Sequence, residues 1–149
     1  MVIPLRKQAT DEHHQTASQR YCAVWGAEGT SLADARRAVR TLLDRAGHQP
    51  GHTASLDAQI VVSELVTNAL RHAPGPGGLL LELAPGAHSL RITVRDSSPR
   101  LPQPVTHTAH RIGGHGLHLV ARLCDRFHAV PLGRGKQVIA EFRLHRAHV

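Results

Sequence analysis

Residues 61–73 read VVSELVTNALRHA and close the strongest helical pattern in the chain, ASLDAQIVVSELVTNALRHA over 54–73. Ile60, Val61, Val62, Leu65, Val66, Ala69 and Leu70 wrap most of the circumference, so the segment reads as a largely buried helix. Pro74 ends it, because a proline pushes the preceding residue out of the α region. Against that apolar surface Glu64, Asn68 and His72 stand at i, i+4 and i+8, on one stripe. An unpaired buried charge is costly, so a stripe holding a carboxylate and a carboxamide must face water, a ligand or a metal. Geometry alone leaves a solvent-facing stripe and a ligand-facing one equally open. Chemistry favours the ligand: Glu and Asn oxygens one turn apart suit Mg²⁺, or a base that positions a water or hydroxyl.

Working outward, TSLADARRAVRTLLDRAG places Leu32, Ala35, Val39, Leu42 and Leu43 on one helix face, with Ser31 as N-cap and Gly47 as stop. RYCAVWGAEG (20–29) reads as a preceding strand ending at Gly26 or Gly29. Residues 1–18 are polar and without periodicity, and read as a flexible N-terminal tail before a single domain over 19–149. Beyond Pro74, LLLELAP (79–85) and SLRITVRD (89–96) form an antiparallel pair. A proline-containing loop from Ser97 to about Gly114 is long enough to be functional. A helix from about His115 to Cys124, a strand RFHAVPL, a GRGK turn and a last strand QVIAEFRLH complete the chain. This order predicts an α+β, two-layer sandwich, with a mixed, mostly antiparallel sheet and its helices on one face.

Composition narrows the function classes. Only 3% of residues are aromatic, so the core must be built from Leu, Val, Ile and Ala. The formal charge of +7, from sixteen Arg and two Lys, raises nucleic acid as a partner. The arginines are scattered, however, and have no aromatics between them for bases to stack on, so no direct nucleic-acid contact is expected. Cys22 and Cys124 lie far apart without a CxxC, which argues for reduced thiols rather than a zinc ribbon or disulfide scaffold. No run approaches the ~20 apolar residues of a membrane span, and the N-terminus lacks an apolar leader, so a cytoplasmic protein without a membrane partner is expected.

Two further features carry chemistry. Asp96 ends a strand just before SSPRLP, where it could accept a hydrogen bond in a pocket at the sheet edge or simply start a turn. THTAHRIGGHGLHLV (106–120) packs four histidines and three glycines ahead of a helix, and its GGHG can bring backbone N–H groups close to an anion. A zinc site would recruit His107, His110, His115 and His118. Leu117, Val120, Ala121 and Cys124 define that helix's buried face, which leaves His118 outside and disfavours the metal.

Glu64 and Asn68, Asp96, GGHGLHLV and GKQVIAEF follow the order and approximate spacing of the N box and the three glycine boxes of the histidine-kinase-like (GHKL, Bergerat-fold) ATPases. The chain most resembles stand-alone actinobacterial-type ATP-binding proteins related to anti-sigma-factor serine/threonine kinases, over about residues 20–145. The resemblance implies that ATP and Mg²⁺ bind, with Asn68 holding the metal and Glu64 acting as general base. It implies that Asp96 accepts from the adenine amino group, that Gly114 and Gly116 bring the helix start to the phosphates, and that Leu117 packs beneath them. His72 closes the stripe, and Arg111 or His115 would supply the cation. The implied partners are a sigma factor and an anti-anti-sigma (antagonist) protein, with a homodimer edge on the first strand and helix. The alternative is a catalytically weak, ATP-dependent protein-binding module. Two boxes depart from the family pattern. Asp96 is followed by Ser97, Ser98 and Pro99 where Asp-x-Gly-x-Gly is common, and Gln137 stands where a Thr is often found. No helical domain with a phosphoacceptor histidine is expected within these 149 residues.

Overall fold

The computed structural model describes residues 19–98 and 116–144 in full, and the backbone alone of 2–7, 114 and 115. Ten elements follow in order: β1 (Val2–Lys7), β2 (Gln19–Trp25), α1 (Leu32–Arg45), α2 (Thr53–His72), β3 (Gly77–Leu83), a 3₁₀ turn (Pro85–Ala87), β4 (Ser89–Asp96), α3 (Gly114–Leu123), β5 (Arg126–Leu132) and β6 (Gly135–Arg143). The strands form one six-stranded sheet in the order β1-β2-β3-β4-β6-β5. Every described pairing is antiparallel, so the mixed component of the expected sheet does not occur among these residues.

The two layers follow from the alternation along the strands. Leu79, Leu81 and Leu83 of β3, Leu90, Ile92 and Val94 of β4, and Val138, Ala140 and Phe142 of β6 are buried on one face. Ala35, Val39, Leu42 and Leu43 of α1 and Val61, Val62, Leu65, Val66 and Ala69 of α2 cover that face. The opposite face carries ion pairs between neighbouring strands, Arg20–Glu82 at 3.1 Å and Arg91–Glu141 at 2.9 Å. Helices on one side and charges on the other give the expected sandwich.

Local signals set the helix ends. Ser31 Oγ accepts from the Asp34 N–H at 3.3 Å and caps α1. Gly47, at φ +93°, lets the chain reverse so that the His48 N–H reaches the Leu43 carbonyl at 2.8 Å. The His48 ring is buried, with Nε2 3.0 Å from the Ala87 carbonyl oxygen, tying the α1–α2 link to the β3–β4 turn. No helix among the described residues is long and apolar enough to cross a membrane.

Three expectations change. Residues 2–7, assigned to a tail, form edge strand β1, with Ile3 opposite Cys22 and Arg6 opposite Arg20. Three steps on β1 against two on β2 make a bulge around Pro4, which is how a proline is accommodated at a sheet edge and why no alternation showed there. Ile60 is 39% exposed rather than buried, and Ala121 is exposed on α3.

At the other end of β2, Trp25 faces Gly77 across the pair. A Cβ on Gly77 would stand 2.6 Å from the indole ring and 2.7 Å from the Arg95 carbonyl oxygen. Overpacking of this kind typically costs about 1–3 kcal/mol. Gly77→Ala should lower unfolding stability by about that amount in urea titrations followed through Trp25, the sole tryptophan. An unchanged midpoint would show that the ring moves aside freely.

Candidate functional site

Burial of α2 fixes the phase of its polar stripe. Glu64 and Asn68 are half-buried, and His72, the last residue of the helix, is exposed. Polar groups on the neighbouring side of α2 are engaged: Gln59 Nε2 donates to Ser55 Oγ at 3.2 Å, Ser63 Oγ to the Gln59 carbonyl at 2.8 Å, and Arg36 Nη1 to Ser63 Oγ at 3.2 Å. Glu64 and Asn68 make no side-chain hydrogen bond or ion pair among the described residues. The stripe therefore offers a carboxylate and a carboxamide whose protein partners are not already taken.

Helix α3 meets this stripe at Glu64 and runs antiparallel to α2 toward Asp57. Near its start, a Cβ on Gly116 would overlap Glu64 Oε2, so only glycine lets the backbone approach the carboxylate so closely. At its other end the Cys124 thiol is pushed up to about 12, first by burial and then by the negative charges of Asp125 and Asp57. Cys124 is thus inert as a nucleophile near neutral pH. Gly116 here makes room for Glu64, a role its expected phosphate contact did not include. Leu117 and Val120 are buried in the core, and His118 is exposed as its helical phase predicts. Gly114 opens α3. Arg111, His107 and His110 lie outside the described residues, as does the side chain of His115. Among the described residues no cluster of three or more His, Cys, Asp or Glu could hold a metal.

Asp96, the last residue of β4, is only 5% exposed and lies on the helix side of the sheet, in phase with Leu90, Ile92 and Val94. The loop from α2 to β3 passes beside it, where Ser97 Oγ donates to the Pro76 carbonyl at 2.6 Å. The Asp96 carboxylate is already engaged. Lys136 Nζ donates to Oδ2 at 2.8 Å and to Oδ1 at 3.0 Å, and the Ser98 N–H donates to Oδ1 at 2.9 Å. Lys136 is 2% exposed and stands directly opposite Asp96 in the β4–β6 ladder. Gly135 permits this approach, since a Cβ there would overlap the Asp96 carbonyl.

Sequence reasoning missed Lys136, although the signal was present. Val138, Ala140 and Phe142 face the helices, and alternation puts Lys136 on the same side. The same alternation sends Gln137 to the outer face. There it lines an open cleft of ≈ 430 Å³ with Cys22, Val24, Leu80 and Thr93, which extends to Pro76, Asp96 and Ser97 at the strand end. The residue of the last box whose side chain bonds Asp96 is Lys136.

The two-layer sandwich thus sets Glu64 and Asn68 on a buried helix and Asp96 at a strand end of one antiparallel sheet. Residues 26–142 match the histidine kinase-like ATPase domain family, and the chain belongs to it. Membership implies ATP binding. Ten solved chains match. Among them, the histidine kinase domain from the Erythrobacter litoralis EL346 blue-light activated histidine kinase shares 23% identity and a TM-score of 0.45. The match covers 73% of this chain and 60% of that one, so the present chain spans less than two thirds of its relative. No curated protein matches the chain.

Gly116→Ala tests the contact between α3 and Glu64. In an unencumbered helix the change would stabilise by up to ~1 kcal/mol. Against the Glu64 carboxylate the new methyl forces that side chain to turn away, which should cancel most of this gain. The gain should reappear when Glu64→Ala is added, because the overlapping atoms are then gone. Strictly additive unfolding energies across the four proteins would contradict the contact.

Proposed function

We propose that the chain is an ATP- and Mg²⁺-binding regulatory protein, an anti-sigma factor that phosphorylates a serine or threonine on an anti-anti-sigma partner. The observation that carries this reading is the pair Glu64 and Asn68, free of protein partners among the described residues, with the start of α3 against Glu64, in a histidine kinase-like ATPase domain.

The residues present suit the metal. Mg²⁺ is usually held by one or two protein oxygens together with phosphates and waters, so the Asn68 carboxamide oxygen can serve as its protein ligand and leave the Glu64 carboxylate, a turn away, as the base. When bound, the ion would neutralise charge on the phosphate oxygens. Glu64 takes the proton from the acceptor hydroxyl as that oxygen bonds to the γ-phosphorus. The bond from phosphorus to the bridging oxygen breaks, and ADP leaves with its electron pair. Asp96 accepts from the adenine amino group. His72 closes the stripe at its exposed end. Gly114 and Leu117 seat the start of α3 over the site, and Arg111 or His115 would supply the cation. Such a protein works in the cytoplasm, where sigma factors act, and a dimer would form through its faces rather than along β2, whose edge β1 covers.

General-base catalysis is worth about 10²–10⁴-fold. Glu64→Gln should lower transfer of labelled γ-phosphate to an antagonist domain by a factor in that range. ATP affinity should stay within a few-fold, whereas Asn68→Ala should abolish Mg²⁺-dependent binding. Undiminished transfer by Glu64→Gln would overturn the role of Glu64. The packing of Glu64 against Gly116 also favours a second reading, an ATP-dependent protein-binding module in which Glu64 only seats α3. Tight ATP binding without transfer to any partner would select that reading.

A further inference from the structure

Asp96 and Lys136 form an ion pair whose side chains are each only 3% exposed. Desolvating two charges costs so much that well-packed apolar residues of similar volume usually serve a fold equally well or better. The pair must therefore be read by what it does to the carboxylate. A carboxylate has about four acceptor directions. Two are filled by Lys136 Nζ, one on each oxygen, and a third by the Ser98 N–H on Oδ1. The remaining direction is on Oδ2. The ammonium is committed as well, because beyond its two bonds to Asp96 it points at the Ser98 carbonyl oxygen, 3.5 Å away. The pair thus offers an incoming ligand one acceptor and no donor.

We propose that Lys136 is a positioning residue for base recognition. It pins Asp96 so that its one open acceptor, on Oδ2, selects a purine bearing a 6-amino group and rejects one bearing a 6-oxo group. This inference rests on the reading of the site as an ATP site. Adenine presents an N–H donor at position 6, which Oδ2 can receive. Hypoxanthine presents a carbonyl there, and both Asp96 and the committed Lys136 leave it without a donor. Without the ammonium the carboxylate is free to turn and meet the N1–H of a 6-oxo purine.

Calorimetric titration of the full chain with ATP and with ITP, each with Mg²⁺, tests the inference. The wild type should prefer ATP by about 10- to 100-fold, the worth of one hydrogen bond to a charged group. Lys136→Met should reduce that ratio to within about threefold of unity, as should Asp96→Ala. Lys136→Gln, which keeps one N–H toward Asp96, should retain part of the preference and stands in if the Met variant does not fold. A purely structural lysine would weaken both nucleotides equally and leave the ratio untouched. An unchanged ratio in both Lys136 variants overturns the positioning role while the ATP reading stands. A wild type that binds neither nucleotide overturns the ATP reading and this inference with it.

Discussion

The burial of α2 is the constraint on which the molecule turns. Val61, Val62 and Val66 are fully shielded and Leu65 and Ala69 nearly so, held between the sheet, α1 and α3. Each such aliphatic side chain contributes about 1.5–3 kcal/mol by leaving water, so the rotational phase of the helix is not free. Turning it by one residue would drive Glu64 into the core and lift a valine into solvent. Apolar packing thus sets the direction of the polar stripe. The chemistry of the site inherits its geometry from residues that take no part in it.

Two of the close approaches around the site occur where a side chain is missing. Gly116 lets the first turns of α3 sit over Glu64, and Gly135 lets β6 begin against the end of β4. A carboxylate oxygen of Glu64 in the first case, and the backbone carbonyl oxygen of Asp96 in the second, lies where a methyl group would otherwise be. These glycines serve contact distance rather than unusual torsion angles, since neither has a positive φ. A glycine-rich sequence before a helix suggests approach to an anion; at Gly116 the described anion is the protein's own carboxylate.

Much of this was legible in the sequence because short-range physics decided it. The Ser31 cap, the Gly47 stop and the end of α2 before Pro74 depend on a few neighbouring residues, and all stand where local rules put them. The run RFHAVPL matches β5 residue for residue, and SLRITVRD matches β4. What escaped depended on partners distant in sequence. β1 exists through pairing with β2, and its bulge at Pro4 hides the alternation that would have announced it. Lys136 acquires meaning only once β6 is laid beside β4, forty residues away in the chain. A fragment's own pattern shows which face a residue takes, but not which residue waits there.

The two outermost strands each contain a proline, Pro4 in β1 and Pro131 in β5. A proline offers no N–H to a neighbouring strand, and β5 adds Arg126 and exposed His128 along the same margin. Antiparallel sheets with free margins tend to recruit further strands and grow into aggregates, most of all in a chain rich in Leu and Val. Here both margins are interrupted. Growth by strand addition is discouraged at either side, so other molecules are left to meet this domain through its faces and loops.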